Sequence, residues 1–268
     1  HRRGELPLME EATRDDLLYG RLRLWQPAAG PRVSMDTVLL AAWVRRRARR
    51  PRFVELGSAS GAVSLMLALR FPPPFHVVGL ELQPELVELA ERNRTENGLQ
   101  DRVRFLCGDL RDASLLPRES FDGLVVNPPY ETPDRGRVSP LPSLAIARHG
   151  ASEDESACCT LQDVAAAGAR LLKRGGRLFC VLRTDRMAPL MAVVSAHDLA
   201  PKRMRLVHPR PGAPSNLLLL ECARGGGEGL TVEPPLFVLG ADGRYTEELL
   251  SAYGPSRSNS ERNDARCP

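Results

Sequence analysis

Short apolar runs and helix-period segments alternate along the chain from Arg52 onward, the pattern of a parallel sheet covered by helices on both faces. RFVELG reads as a buried first strand, and AVSLMLALR after Gly61 as a helix that stops at Pro72, Pro73 and Pro74. HVVGLE is a second strand ending at Glu81. Pro84 then opens a helix whose apolar stripe is Leu86, Val87, Leu89 and Ala90, and which Asn97 and Gly98 close. VRFLCGD and FDGLVV supply the third and fourth strands. Ser152 and Glu155 form a capping box for a helix reaching about Lys173, and a turn at Gly175 and Gly176 feeds RLFCVL as a fifth strand. RMRLVH and NLLLLEC add two more. The expected fold class is α/β, a Rossmann-like doubly wound sheet of seven strands.

Ahead of this unit, LYGRLRLWQP alternates apolar and polar residues, and DTVLLAAWV has helical spacing with Asp36 at its start. This predicts a small β-hairpin and helix serving as a lid. The expected organisation is a lid over residues 1–50, the α/β domain over 51–246, and a disordered tail over 247–268, whose last part is rich in Ser, Arg and Asn.

Composition changes this picture little. With 43% hydrophobic and 26% charged residues the chain is an ordinary globular protein of 268 residues, long enough for a sizeable core. No apolar run approaches the length of a membrane-spanning helix, and the polar start has no apolar centre for a secretory signal, so a cytoplasmic location without membrane partners is expected. The six cysteines form no CxxC pair, which fits reduced thiols better than disulfides or a metal site; no metal is expected. A formal charge of +4 points mildly toward an anionic partner.

The chemistry lies in the strand-to-helix loops. Glu55, Gly57, Ser58 and Gly61 belong to a loop where glycines let the backbone approach a ligand and the helix N-terminus offers free N–H groups. The loop fits the dinucleotide fingerprint G-x-G-x-x-G poorly, because Ala59 and Ala62 stand where glycines are needed. An acid just before the first glycine suits a cofactor with an ammonium group, and S-adenosylmethionine has one. Glu81 closes the second strand 24 residues after Gly57, the separation at which such folds place a carboxylate on ribose hydroxyls. Asp109 is placed to accept from an adenine amino group at the same edge.

After the fourth strand come Asn127, Pro128, Pro129 and Tyr130. An amino group on a nucleobase or acyl carbon is a poor nucleophile because its lone pair is delocalised. The Asn127 carboxamide oxygen and the Pro128 carbonyl, held stiffly by two prolines, can accept its two hydrogens and aim the lone pair at a methyl donor, while Tyr130 offers a stacking face.

With these motifs the chain resembles the class I S-adenosylmethionine-dependent methyltransferases bearing an Asn-Pro-Pro-Tyr motif. GRLRLWQPAAGPRVSMDTVLLAAW, VVGLELQPELVELAERN, NGLQDRVRFLCGDLRD, GRVSPLPSLAIARH and HPRPGAPSNLLLLE resemble the bacterial tRNA (adenine-N6)-methyltransferases that modify a valine tRNA in its anticodon loop, over about residues 16–246. The resemblance implies a seven-stranded, mostly parallel sheet with one antiparallel strand. It also implies cofactor contacts at Glu55, Gly57, Gly61, Glu81 and Asp109, and a target base held by Asn127, Pro128 and Tyr130. One departure is Ala59, where the family loop has a glycine and where a methyl can crowd the cofactor.

RNA, chiefly tRNA, is thus the expected partner of a monomer. The densest basic run, residues 45–52, precedes the first strand and falls at the end of the sheet away from the site, so it reads as a solvated face. Arg135, Arg137, Arg148 and His149 in the long loop after the tetrapeptide, and His208 and Arg210 after the sixth strand, are the candidate RNA contacts together with Pro129. Two other readings stay open at this point. One is a glutamine methyltransferase of the release-factor type, since a side-chain amide presents the same planar NH2. The other is an RNA-binding relative that has lost catalysis, motivated by Ala59.

Overall fold

The computed structural model describes residues 12–128 and 159–255. A two-stranded antiparallel hairpin, β1 (Ala12–Leu17) and β2 (Leu22–Pro27), is followed by α1 (Met35–Trp43). The α/β unit then runs β3 (Arg52–Leu56), α2 (Ala62–Arg70), β4 (His76–Glu81), α3 (Pro84–Glu96), β5 (Val103–Cys107) and β6 (Phe121–Val126). After the loop come α4 (Leu161–Leu171), β7 (Leu172–Arg183), α5 (Met187–Ala196), β8 (Leu199–His208) and β9 (Leu217–Arg224). Two-residue strands β10 (Thr231–Val232) and β11 (Leu236–Phe237) and helix α6 (Glu247–Ala252) complete it.

The strand order is β5-β4-β3-β6-β7-β9-β8, with β10 and β11 both on β8. All neighbours are parallel except those of β9, which runs antiparallel to β7 and β8. The order reverses between β3 and β6, which makes the carboxyl ends of these strands the topological switch point. The seven expected strands and the single antiparallel one are present, but the described sheet has nine, because β10 and β11 add short parallel pairings outside β8.

Alternating side chains feed two cores. Phe53, Val77, Phe105, Val125 and Phe179 point to one face, against α1, α2 and the hairpin residues Leu22 and Leu24. Val54, Leu80, Leu124, Val126 and Leu178 point to the other, against α4 and α5 through Val164, Leu171, Leu190 and Val194. Helix α1 buries Val38, Leu39, Leu40 and Trp43, so it is a layer of the first core.

Three expectations are corrected. Helix α4 is capped by Thr160, whose hydroxyl accepts from the Asp163 N–H at 3.2 Å while Asp163 accepts from the Thr160 N–H at 2.8 Å; Ser152 and Glu155 lie outside the described residues. Gly175 and Gly176 do not separate helix from strand. Strand β7 begins at Leu172, opposite Phe121, and the glycines bulge out before pairing resumes between Gly123 and Arg177. The tail expected to be disordered from residue 247 starts with α6, because Thr246 caps it and Leu249 and Tyr253 are buried in the first core; residues 256–268 lie outside the described residues.

The basic run sits at the amino ends of the strands, away from the switch point, and part of it is paired: Arg45 with Glu233 at 3.0 Å and Arg47 with the buried Glu221 at 3.5 Å. A core role for α6 predicts that Leu249→Ala lowers unfolding free energy by about 2–4 kcal/mol in urea titration, whereas a surface tail would leave it unchanged.

Candidate active site

Register sets the site. Leu56 of β3 pairs with Leu80 of β4 on one side and with Val126 of β6 on the other. The next residues, Asn127, Gly57 and Glu81, therefore leave three adjacent parallel strands at one level, about 4.8 Å from strand to strand. Cys107 of β5 pairs with Glu81 and extends the row, with Asp109 just beyond.

The loop after β3 is built to approach this row. Gly57 and Ser58 N–H groups both donate to the Leu80 carbonyl, at 2.8 and 3.1 Å. Gly57 takes φ +70° and nothing lies within 4 Å of where a Cβ would stand, so its face is open. Gly61, at φ +85°, begins α2 over the Phe105 ring, and a Cβ there would meet Phe105 Cζ at 2.4 Å. Only glycine meets both demands. Ala59 also adopts a left-handed backbone, φ +45°, at a cost of about 1–2 kcal/mol for an L residue. Its N–H donates to Glu81 Oε2 at 2.8 Å, so the loop keeps its hold on Glu81 despite the methyl group.

Glu81 is buried. Its second oxygen accepts from the Gln83 N–H at 3.0 Å, and both oxygens retain lone pairs for a ligand. Next to it Leu82 is 52% exposed, a large apolar side chain beside a polar row, which sequence reasoning missed because any strand end tolerates a leucine.

Glu55 lies one layer below, fully enclosed. Its Oε2 accepts from both the N–H and the hydroxyl of Ser64 on α2. Desolvation pushes this carboxyl up to about 8, against which the two Ser64 bonds act only partly. Ser64 is a second residue that no sequence signal marked. Asp109 is turned to Arg111, accepting from its backbone N–H at 2.8 Å and its Nη2 at 2.6 Å, and this guanidinium holds the Asp109 carboxyl below the usual range.

Two buried polar atoms here lack partners, Ser58 Oγ and Asn127 Oδ1. Such orphans are costly unless something fills their hydrogen-bonding capacity. Pro128 is buried beside Asn127. His208 and Arg210 do emerge at the same edge, but β7 and β9 separate β8 from β6, a lateral distance of about 14 Å. His208 is held there, donating from Nδ1 to the Ala213 carbonyl at 2.8 Å with its ring 5.6 Å from that of Phe237; Arg210 is exposed. Pro129, Tyr130, Arg135, Arg137, Arg148 and His149 lie outside the described residues. Among the described residues no cluster of His, Cys, Asp and Glu could hold a metal ion, and no helix is long and apolar enough to cross a membrane.

The Glu55 carboxyl gives a pH prediction for the protein without ligand. Its folded pKa, about 8, exceeds the ordinary 4.5, so its contribution is complete below pH 4.5 and is lost as pH rises through 8. Between those values it lowers stability by up to about 1.4 kcal/mol per pH unit. Urea titrations across this range should show a shallower decline for Glu55→Gln; identical slopes for the two proteins would place Glu55 in water.

Residues 53–138 match the methyltransferase domain family. The chain is 28% identical over 233 residues to the tRNA1(Val) (adenine(37)-N6)-methyltransferase of Tolumonas auensis, covering 87% of this chain and 92% of that protein. It is 29% identical over 251 residues to the protein of the same name from Porphyromonas gingivalis, covering 88% and 92%. Among solved structures, a predicted O-methyltransferase from Agrobacterium tumefaciens superposes with a TM-score of 0.65 at 22% identity, covering 81% of this chain and 95% of that one, a likeness of fold. Residues 53–138 thus match the methyltransferase domain family, and over most of its length the chain is similar to the bacterial tRNA1(Val) (adenine(37)-N6)-methyltransferases.

Proposed function

We propose that this chain is an S-adenosylmethionine-dependent methyltransferase acting on the N6 amino group of an adenine in tRNA. The observation that carries the reading is the row Asn127, Gly57, Glu81, in which an unpartnered carboxamide oxygen stands next to an open glycine backbone and a buried carboxylate steadied by two N–H groups. The similar proteins from Tolumonas auensis and Porphyromonas gingivalis carry the name of this reaction.

The residues fit the cofactor. Glu81 has lone pairs left for two ribose hydroxyls, Gly57 offers close backbone approach, Gly61 lets α2 start against Phe105 behind it, and the Ser58 hydroxyl still lacks a partner. Glu55, enclosed one layer below on Ser64, supports the cradle through α2 in this reading, and Asp109 can share its carboxylate between Arg111 and an adenine amino group. When bound, S-adenosylmethionine supplies an electrophilic methyl group on positively charged sulfur.

The chain's own task is alignment. Asn127 Oδ1 accepts one hydrogen of the target amine and the Pro128 carbonyl the other, which turns the nitrogen lone pair out of the ring plane toward the row. Burial makes these two acceptors stronger than they would be in water. Tyr130 supplies the stacking face in this reading, and an anticodon-loop base, already unpaired, enters at modest cost. Pro129, Arg135, Arg137, Arg148, His149, His208 and Arg210 would hold the RNA around it.

Labelled methyl transfer to total tRNA followed by nucleoside analysis tests the function: N6-methyladenosine is expected, and methyl groups found only on protein or on another nucleoside would refute it. Asn127→Ala should lower kcat by about 100-fold or more while leaving cofactor affinity within a few-fold, as kinetics and calorimetry will show. Glu81→Ala has the opposite signature, weakening S-adenosylmethionine binding by at least about tenfold, and an unchanged Kd would remove Glu81 from the cofactor site.

A further inference from the structure

Two asparagines stand one turn apart at the end of α3, Asn93 in its last turns and Asn97 as its C-cap, and both treat the outer edge of β2 as a neighbouring strand would. Asn97 Oδ1 accepts from the Arg23 N–H at 3.0 Å and its Nδ2 donates to the Arg23 carbonyl at 2.6 Å. Asn93 repeats the pattern on Trp25, accepting from the N–H at 2.7 Å and donating to the carbonyl at 2.9 Å. Residues 23 and 25 are two apart, so their N–H and C=O groups lie on one edge of the strand, and the two carboxamides satisfy that edge as a peptide ladder does. The Trp25 indole adds a bond to Glu96 at 2.5 Å and lies under the Arg92 guanidinium, 3.5 Å from the ring centroid.

The two asparagines differ in one bond. The second amide hydrogen of Asn97 goes back to the helix it caps, on the Asn93 carbonyl at 2.8 Å. That of Asn93 goes to the Ser60 carbonyl at 2.9 Å, in the glycine loop. Asn93 is fully buried and Ser60 nearly so, which excludes water as a substitute acceptor or donor. Ser60 lies between Ala59, whose N–H holds Glu81, and Gly61, which starts α2, both in left-handed backbone. Fixing the Ser60 carbonyl therefore fixes the Ser60–Gly61 peptide, directly after Ala59, whose left-handed backbone is costly for an L residue.

We propose that Asn93 is a positioning residue for the cofactor loop: its single carboxamide ties the Ser60 carbonyl to the hairpin, so that the hairpin is part of the frame that keeps Ala59 and Glu81 in place. The inference rests on reading this loop as the cradle of S-adenosylmethionine. Asn97, with the same hold on β2 and none on the loop, is the built-in control.

Calorimetric titration of S-adenosylmethionine into the full chain separates the roles. Asn93→Ala is expected to weaken binding about tenfold and Asn97→Ala by less than about twofold, although both loosen the hairpin and lower the melting temperature. Asn93→Asp, which keeps the shape and the acceptor for Trp25 but lacks the amide donors, should match Asn93→Ala and serves if the alanine variant fails to fold. Equal weakening by the Asn93 and Asn97 variants, or wild-type affinity in both Asn93 variants, would overturn the assignment while leaving the cofactor reading intact. Absence of binding by the wild-type chain would overturn both.

Discussion

The site depends on one constraint, the in-register parallel pairing of β3 with β4 and β6. Because Leu56 faces both Leu80 and Val126, the residues that follow, Gly57, Glu81 and Asn127, emerge side by side without any loop having to bring them together. A slip of one residue in either pairing would move an entire strand's side chains to the other face and break the row. The two cores protect that register, since each strand's alternate residues are buried on both faces. The bond from the Ala59 N–H to Glu81 then couples the loop to the row across the sheet.

In the proposed reading, division of labour follows from position along the row. At the β4 end a carboxylate already held by two backbone donors suits hydroxyl groups, which need a fixed acceptor. At the β6 end a carboxamide oxygen with no partner suits a planar amine, which needs its hydrogens taken from defined directions. Between them Gly57 leaves space where the two ligands would meet. No acid–base pair is required for this chemistry, and electrostatic alignment in a buried setting is the larger lever.

The fold was legible wherever an apolar run ended on a marked residue. Strands β3, β4 and β6 close on Leu56, Glu81 and Val126, and Gly57, Glu81 and Asn127 could be placed at one sheet edge from spacing alone. Elements held by few residues or by tertiary contacts were not. Strands β10 and β11 are two residues long, α6 depends on burying Leu249, and the bulge at Gly175 depends on β6 pairing on both sides of it. The supporting residues of the site were equally silent: Ser64 and Asn93 look like ordinary helix residues until Glu55 and Ser60 are seen against them. Ala59 reads in sequence as a departure that endangers the loop. Its backbone takes the glycine-like conformation and keeps its bond.

The central claim is that Asn127 presents a flat amine to a methyl donor seated beside Gly57 and Glu81. A crystal structure of the chain with S-adenosylhomocysteine and an anticodon stem-loop tests it most directly. The account predicts the adenine N6 at about 3 Å from Asn127 Oδ1, with the ribose of the cofactor product on Glu81. An adenine bound elsewhere, or Asn127 turned from the cofactor in that complex, would contradict it.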